Sequence, residues 1–461
     1  MRNRYRQRNR HRSQRSFGLG NLCGGVGIRV PPCPLCMWPV NSLVRDGIRP
    51  LYDLVPLMNS PLRHWSFASA SQFTFGWGAI RELGAAARRY GWKRVMVLTD
   101  PILAKLPLMG LVNEQLKSAG VAPILFDGGE PEPSVAAAVR AIDVAKSEQP
   151  DAIIGLGGGS NIDLAKMTAV VARFGGAPKD YFGFDKVPGP VVPLVAIPTT
   201  AGTGSEVSHS SVLTDTDNAV KVSTQSRYLR PLLAIVDPEF TLTCPRKVTA
   251  DSGIDALTHA IEGFTNTRSQ DLDLPINEPF AYEGKNPLSD LFAEQAIRLV
   301  HRSLVKAVES PTDRQAREDM ALAATLGGLA FSNSGVALVH AMEYPIGGAV
   351  HCTHGEGNGL LLPHVMRFLR DVRTREFGQI AEFMGVDTQG MTPTEAADAA
   401  ILAVDSLRER IGVPGRLSEL HVTPQHLPVL AKKAHGITRL MLLTAKRPTE
   451  ADVLGIYQGA M

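Results

Sequence analysis

The amino-acid sequence predicts an α/β N-terminal half joined to an all-α C-terminal half, and two observations carry that expectation. From Phe73 onward short β-branched runs alternate with amphipathic helical stretches, the pattern of a parallel sheet covered by helices. Beyond Asp237-Pro238 and Pro245 the apolar period lengthens to helical spacing, and strand-like runs all but vanish. The expected strands are Arg94–Thr99, Ala122–Phe126, Ala152–Leu156, Leu194–Ile197 and Leu233–Val236, with helices over Ala136–Glu148 and Ile162–Phe174 between them. In the second half, helices are expected over Ser252–Phe264, Leu288–Val308, Asp313–Phe331, Val336–Ile346, Pro393–Ile411 and Pro428–Ala434. The chain accordingly divides into 1–60, 61–243 and 244–461.

At 461 residues the chain exceeds what one hydrophobic core usually supports, so two folded domains are expected. Hydrophobic residues at 44% and charged residues at 20% suit a globular enzyme. No apolar run nears the roughly 18 to 20 residues that a bilayer crossing needs, which makes a membrane protein an unfavoured reading. The net charge of +3 comes from the leader: Met1–Ser16 holds seven arginines and no acid, and without them the rest stands at −4. Such a body has no basic footprint for nucleic acid, and only the leader would offer one. Residues 1–60 show no sustained apolar period and are expected to be disordered, or to precede a true start near Met58; a transit peptide is a further reading. The five cysteines (Cys23, Cys33, Cys36, Cys244, Cys352) are odd in number and sparse, which argues for a reducing compartment, most simply the cytoplasm. Cys33-Pro-Leu-Cys36 lacks the second pair that a zinc knuckle requires.

The strand at Ala152–Leu156 runs into Gly157-Gly158-Gly159-Ser160 and then a helix, so free backbone N–H groups and a helix dipole can cradle a pyrophosphate. A second polar loop, Pro198–Glu206, carries Thr199, Thr200 and Thr203, which suit phosphate, ribose or nicotinamide, or else cap the following helix. Lys221, in a β-like run, offers a charge to the ribose or phosphate; taken alone it reads as a solvated lysine. Asp100 ends the strand at Arg94–Thr99, where an acid accepts ribose hydroxyls and disfavours the 2′-phosphate of NADP; its alternative reading is a turn cap before Pro101. These features make the first half a Rossmann-like dinucleotide domain that takes NAD.

Asp255 and His259 stand four apart in a helical run and so share one face. His340, on a helix read from Gly335, and His354, on a loop read at Thr353-His354-Gly355, complete a set of one carboxylate and three imidazoles. Fe(II) or Zn(II) suits those donors.

These residues resemble the iron-containing, or group III, alcohol dehydrogenase family over about Phe73 to Tyr457. The similar stretches are Phe75-Gly76, Gly157–Lys166, Pro198–Glu206, Gly253–Gly263, and His340 through Gly355-Glu-Gly-Asn358 to His364. The resemblance implies a dehydroquinate-synthase-like fold and assembly as a homo-oligomer. It implies metal ligation by Asp255, His259, His340 and His354. Cofactor positions follow at Asp100, Gly157–Ser160, Asp163, Thr199, Thr200, Thr203 and Lys221. Where many members carry a second histidine after the third ligand, this chain has Tyr344, a poor base near neutrality, so a water chain or His351 is expected to share proton transfer.

The expected activity is hydride transfer between an alcohol and NAD, reducing an aldehyde or ketone in reverse. An insert at Thr265–Lys285 and the same tyrosine are similar to the hydroxyacid-oxoacid transhydrogenase branch, which uses 4-hydroxybutyrate and an oxoacid such as 2-oxoglutarate. That branch is the alternative. A metal- and NAD-assisted lyase of the dehydroquinate synthase kind is the alternative of another class, and its glutamate and two histidines argue against it.

Overall fold

The computed structural model describes residues 64–216, 220–272 and 281–461. The Arg-rich leader with Cys23, Cys33 and Cys36, and the middle of the insert, lie outside the described residues. The chain divides between Pro61 and Leu62, and everything below belongs to the second unit.

The strands are β1 Gln72–Phe75, β2 Arg94–Leu98, β3 Ala122–Phe126, β4 Ala152–Gly157, β5 Gly183–Phe184, β6 Leu194–Pro198, β7 Ser210–Asp215, β8 Val220–Gln225 and β9 Leu233–Val236. Between them run α1 Arg81–Tyr90, α2 Pro107–Ser118, α3 Val135–Glu148 and α4 Gly159–Phe174. Six strands form one all-parallel sheet in the order β1-β9-β6-β4-β2-β3. Its central strand β4, Ala-Ile-Ile-Gly-Leu-Gly, is buried throughout, since helices cover both faces of the sheet. β7 and β8 form an antiparallel pair extended by β5.

The order of the strands decides where a ligand goes. From β2 the chain passes outward to β3, whereas from β4 it passes the other way to β6, so the crevice between the ends of β2 and β4 is a topological switch point. Asp100 follows β2, and Gly157 ends β4. The five strands read from sequence all form, and the β-like run at Lys221 is β8, whereas the sequence pattern does not mark β1, β5, β7, α1 or α2. β1 is a half-buried edge strand, and β7 and β8 carry polar residues that blur the alternation.

The remaining helices are α5 Arg246–Thr265, α6 Pro287–Glu309, α7 Arg314–Ser334, α8 Leu338–Val350, α9 His354–Leu369, α10 Thr374–Phe383, α11 Pro393–Arg410, α12 Leu427–His435, α13 Thr438–Leu443 and α14 Glu450–Gly459. Two local expectations need correction. His354 does not lie on a loop: it is the first residue of α9, whose glycine-rich opening is held helical by the Thr353 hydroxyl accepting from the Glu356 N–H. The helix bearing His340 starts at Leu338 rather than near Gly335, because Gly335 sits at φ 100°. Among the described residues no single helix is long and apolar enough to cross a membrane.

The loop after β6 docks on α7. Gly204, at φ 58°, lies so close to that helix that a Cβ on it would stand 2.4 Å from Gly328 Cα, and Thr325 Oγ1 donates to Glu206 Oε1 at 2.7 Å beside it. We expect Gly328→Ala to lower stability by about 1 to 3 kcal/mol through overpacking, although alanine favours a helix by about 1 kcal/mol. A urea midpoint above that of the wild type would refute this contact.

On α9, burial, joined by the charges of Arg367 and Arg408, outweighs Asp405 and pushes His364 down to about 4. Its folded value lies below the unfolded one of about 6.5, so the stability it supports is present above that pH and is lost as pH falls toward about 4. His364→Gln should flatten that acid-side loss, measured as urea midpoints across the window. An unchanged slope would remove His364 as its cause.

Candidate metal and dinucleotide site

Asp255 and His259 project from one face of α5, where both are buried. α8 and α9 bring His340 and His354 to the same point. One ligand atom from each of Asp255, His340 and His354 lies within 4.8 Å of the others. The Nε2 atoms of His340 and His354 stand 3.9 and 3.8 Å from Asp255 Oδ1. His259 joins from the side, its Nδ1 3.7 Å from Asp255 Oδ2, and that nitrogen is buried without a hydrogen-bond partner.

Two carboxylates behind the histidines decide which nitrogens face inward. His340 Nδ1 lies 2.6 Å from Glu262 Oε2, and His354 Nδ1 bonds Glu343 Oε2. Each carboxylate accepts an Nδ1–H and leaves the Nε2 lone pair free to face Asp255, an arrangement that raises ligand basicity. Glu262 is itself fixed by the N–H groups of Ala337 and Val339. Asn358 Nδ2 lies 2.8 Å from Asp255 Oδ1, 3.2 Å from His340 Nε2 and 3.1 Å from His354 Nε2, an amide with two protons facing three acceptors.

The charge states match this geometry. Burial raises the Asp255 carboxyl, but His259, His354, His340 and the Asn358 hydrogen bond carry it below its ordinary value. Burial pulls His259 down to about 3 and keeps it neutral. It also opposes charge on His354, which Glu343 and Asp255 nevertheless raise. A buried carboxylate and inward-facing imidazole lone pairs, one wholly unpartnered, fit a divalent cation. Asp255, His259, His340 and His354 would hold it.

These donors line one cavity together with Gly159, Ser160, Asp163, Thr203 and Lys221. Glycine is required where β4 meets α4: a Cβ on Gly157 would stand 2.2 Å from Asn161 Nδ2, and one on Gly159 2.7 Å from Thr203 Cγ2. Gly159 and Ser160, which open α4, line the cavity and bring the first turn of that helix to its wall. Asp163 is a scaffold, accepting from Ser205 Oγ and the Val212 N–H. Thr199 donates its N–H to Gly157 O, pairing the two loops, and neither Thr199 nor Thr200 lines the cavity.

Lys221 is not a solvated lysine. Its side chain is 8% exposed, 2.7 Å from Glu132 Oε1 and 3.7 Å from Glu343 Oε1. Asp100 does act as a turn cap, Oδ1 accepting from Ile102 and Leu103, while Oδ2 accepts from Asn161 and ties the switch point together.

Tyr344 lines the cavity with its ring stacked on His354, and burial pushes its phenol above the ordinary range. The structure does not bring His351 to the site. It caps α8 at φ 56°, exposed, because the chain must reverse there to return His354 to the donors. Glu262, Glu343 and Asn358 were missed as functional residues, although spacing holds a signal for each: three after His259, three after His340 and four after His354. Glu343→Gln should weaken metal affinity roughly 10- to 100-fold, read by chelator competition. An unchanged affinity would deny Glu343 its orienting role.

Residues 70–238 match the model of the iron-containing alcohol dehydrogenases, and 276–461 match that of the C-terminal part of the Fe-containing alcohol dehydrogenase family. An NAD-dependent methanol dehydrogenase of Bacillus methanolicus is 36% identical over 383 residues, covering 83% of this chain and 95% of that one. A mitochondrial hydroxyacid-oxoacid transhydrogenase of Xenopus tropicalis is 31% identical over 439 residues, covering 89% and 93%. The crystal structure of a 1,3-propanediol oxidoreductase superposes with a TM-score of 0.81 at 34% identity, covering 87% of this chain and all of that one. By sequence and by fold, the chain belongs to the iron-containing alcohol dehydrogenase family.

Proposed function

We propose that this protein is an NAD-dependent, iron-type alcohol dehydrogenase. The observation that carries the reading is the convergence of Asp255, His340 and His354 donor atoms in a cavity whose other wall is the glycine turn and the start of α4. When bound, a divalent iron held by Asp255, His259, His340 and His354 would supply Lewis acidity to a substrate oxygen, and a nicotinamide would supply the hydride acceptor. Overall, the alcohol carbon loses a hydride, its hydroxyl loses a proton, and an aldehyde or ketone remains.

The chain's own residues prepare that exchange. Glu262 and Glu343 hold the protons on the Nδ1 atoms of His340 and His354. The α4 N-terminus offers backbone donors to a pyrophosphate, and Lys221 holds positive charge on the same cavity wall. Phe331 stacks on His259 and keeps water from that side of the donors. Tyr344, with its phenol raised by burial, donates a hydrogen bond in preference to taking a proton. Asp100, beyond β2, sets a carboxylate where a 2′-phosphate would bring like charge, which favours NAD over NADP.

A second reading, a transhydrogenase that returns the hydride to an oxoacid, is favoured by Tyr282, which the insert contributes to the cavity wall. Metal-loaded protein should form NADH from NAD and simple alcohols. Product formed only when 2-oxoglutarate is added, without free NADH, would select the transhydrogenase. Asp255→Asn should lose both bound metal and at least roughly 100-fold in turnover, measured by elemental analysis and NADH absorbance. Wild-type metal content and rate in that variant would sink the assignment.

A further inference from the structure

The cavity lined by Asp255, His340 and His354 also carries a cation whose partners among the described residues are all neutral. Arg439, on α13, donates from Nη1 to Ser223 Oγ at 2.8 Å and to Gln225 Oε1 at 3.0 Å, both on β8. Its Nε is buried without a partner, and among the described residues no carboxylate pairs with it. The acids lining the same cavity are already engaged. Glu132 holds Lys221, Asp163 accepts from Ser205 and the Val212 N–H, and Asp255 faces the imidazoles and Asn358.

Arg439 is held there by a network that the insert completes. Gln225 Nε2 donates to Tyr282 Oη at 3.0 Å and to Ser210 Oγ at 3.3 Å, which turns Gln225 Oε1 toward the guanidinium. Tyr282 is 7% exposed and comes from the C-terminal limb of the Thr265–Lys285 insert. A buried Tyr–Gln–Arg chain that ends on a half-buried guanidinium has used its neutral acceptors, and among the described residues it meets no anion. Arg439 also borders an open groove lined by Lys221, Lys432 and Lys433, whose charges raise the local positive potential. The planar fork of a guanidinium matches a carboxylate better than it matches a hydroxyl.

We propose that Arg439 is a specificity-determining residue that binds the carboxylate of a hydroxy acid, or of the oxo acid in reverse, whose carbinol end lies at Asp255, His340 and His354. The preferred substrate class is a hydroxy carboxylate, turned over at a lower KM than the simple alcohol of equal length. As a statement about turnover this rests on the hydride-transfer reading above; as a statement about carboxylate binding it does not.

The test separates the two. Unbranched monocarboxylates from propanoate to hexanoate carry the anion but no hydroxyl to oxidise, and their binding to full-length, Zn(II)-loaded protein is read by titration calorimetry. We expect binding in the wild type that is weakened roughly 10- to 100-fold in Arg439→Gln and less in Arg439→Lys, with no comparable loss in a Lys432→Gln, Lys433→Gln protein. The primary amides of the same acids, equal in shape but uncharged, should bind the wild type at least about tenfold more weakly, a result that needs no variant to fold. In turnover, Arg439→Gln should raise KM for ω-hydroxy acids far more than for alcohols of equal length. Absence of wild-type binding, equal affinity for acid and amide, undiminished affinity in Arg439→Gln, or a loss confined to the lysine variant would each overturn the proposal. Carboxylate binding through Arg439 without hydride transfer from any substrate would uphold it and reject the dehydrogenase reading instead.

Discussion

The structure turns on a concentration of electron density that the helical half must bury. Asp255 is 2% exposed in the middle of α5, and His340 and His354 point nitrogen lone pairs at it. A buried carboxylate without a compensating charge is costly, and inward lone pairs add to that cost. Asn358 relieves part of it with one amide, which has fewer protons than there are acceptors facing it. The rest of the local packing serves this point. Glu262 and Glu343 set the imidazole tautomers from behind, and α9 can begin against α5 and α8 only because Gly355 and Gly357 leave room for Asp251 O and Glu343 Cγ.

From that point outward, the other half of the molecule is placed by close backbone approach. Gly204 against Gly328, and Glu206 against Thr325, bring the loop after β6 onto α7. Because that loop follows the strand beside β4, the same docking brings the start of α4 to the cavity that holds the metal donors. The start of α4 and the Asp255, His340 and His354 side chains, far apart in sequence, thereby border one cavity. The cost is a set of glycines with no freedom to change, since added volume here meets backbone rather than a movable side chain.

Much of this was legible in the chain because it is local. Strand β4 running into a glycine turn and a helix is a contiguous signal, as is the i, i+4 pair Asp255 and His259 on α5. Where local signals misled, a neighbour had overridden composition. The glycines after His354 read as loop, yet Thr353 caps them into a helix; His351 read as near the site by its number, yet a left-handed turn exposes it. Lys221 read as solvated, because nothing in a β-like run foretells that Glu132 and Glu343 will close over it.

By itself, then, the sequence determined the fold class, the glycine turn between β4 and α4, and the pairing of Asp255 with His259 on one helix face, since each is written in a local pattern. The tertiary structure decided which nitrogen of each histidine faces inward, which carboxylates hold those tautomers, and that Arg439 reaches the cavity with no acid among the described residues paired to it. Those outcomes depend on contacts such as Asn358 with Asp255, 103 residues apart, or Arg439 with Ser223, 216 apart. No periodicity encodes such a separation; it is fixed only when helices pack and the hydrogen-bonding capacity of every buried group has to be met.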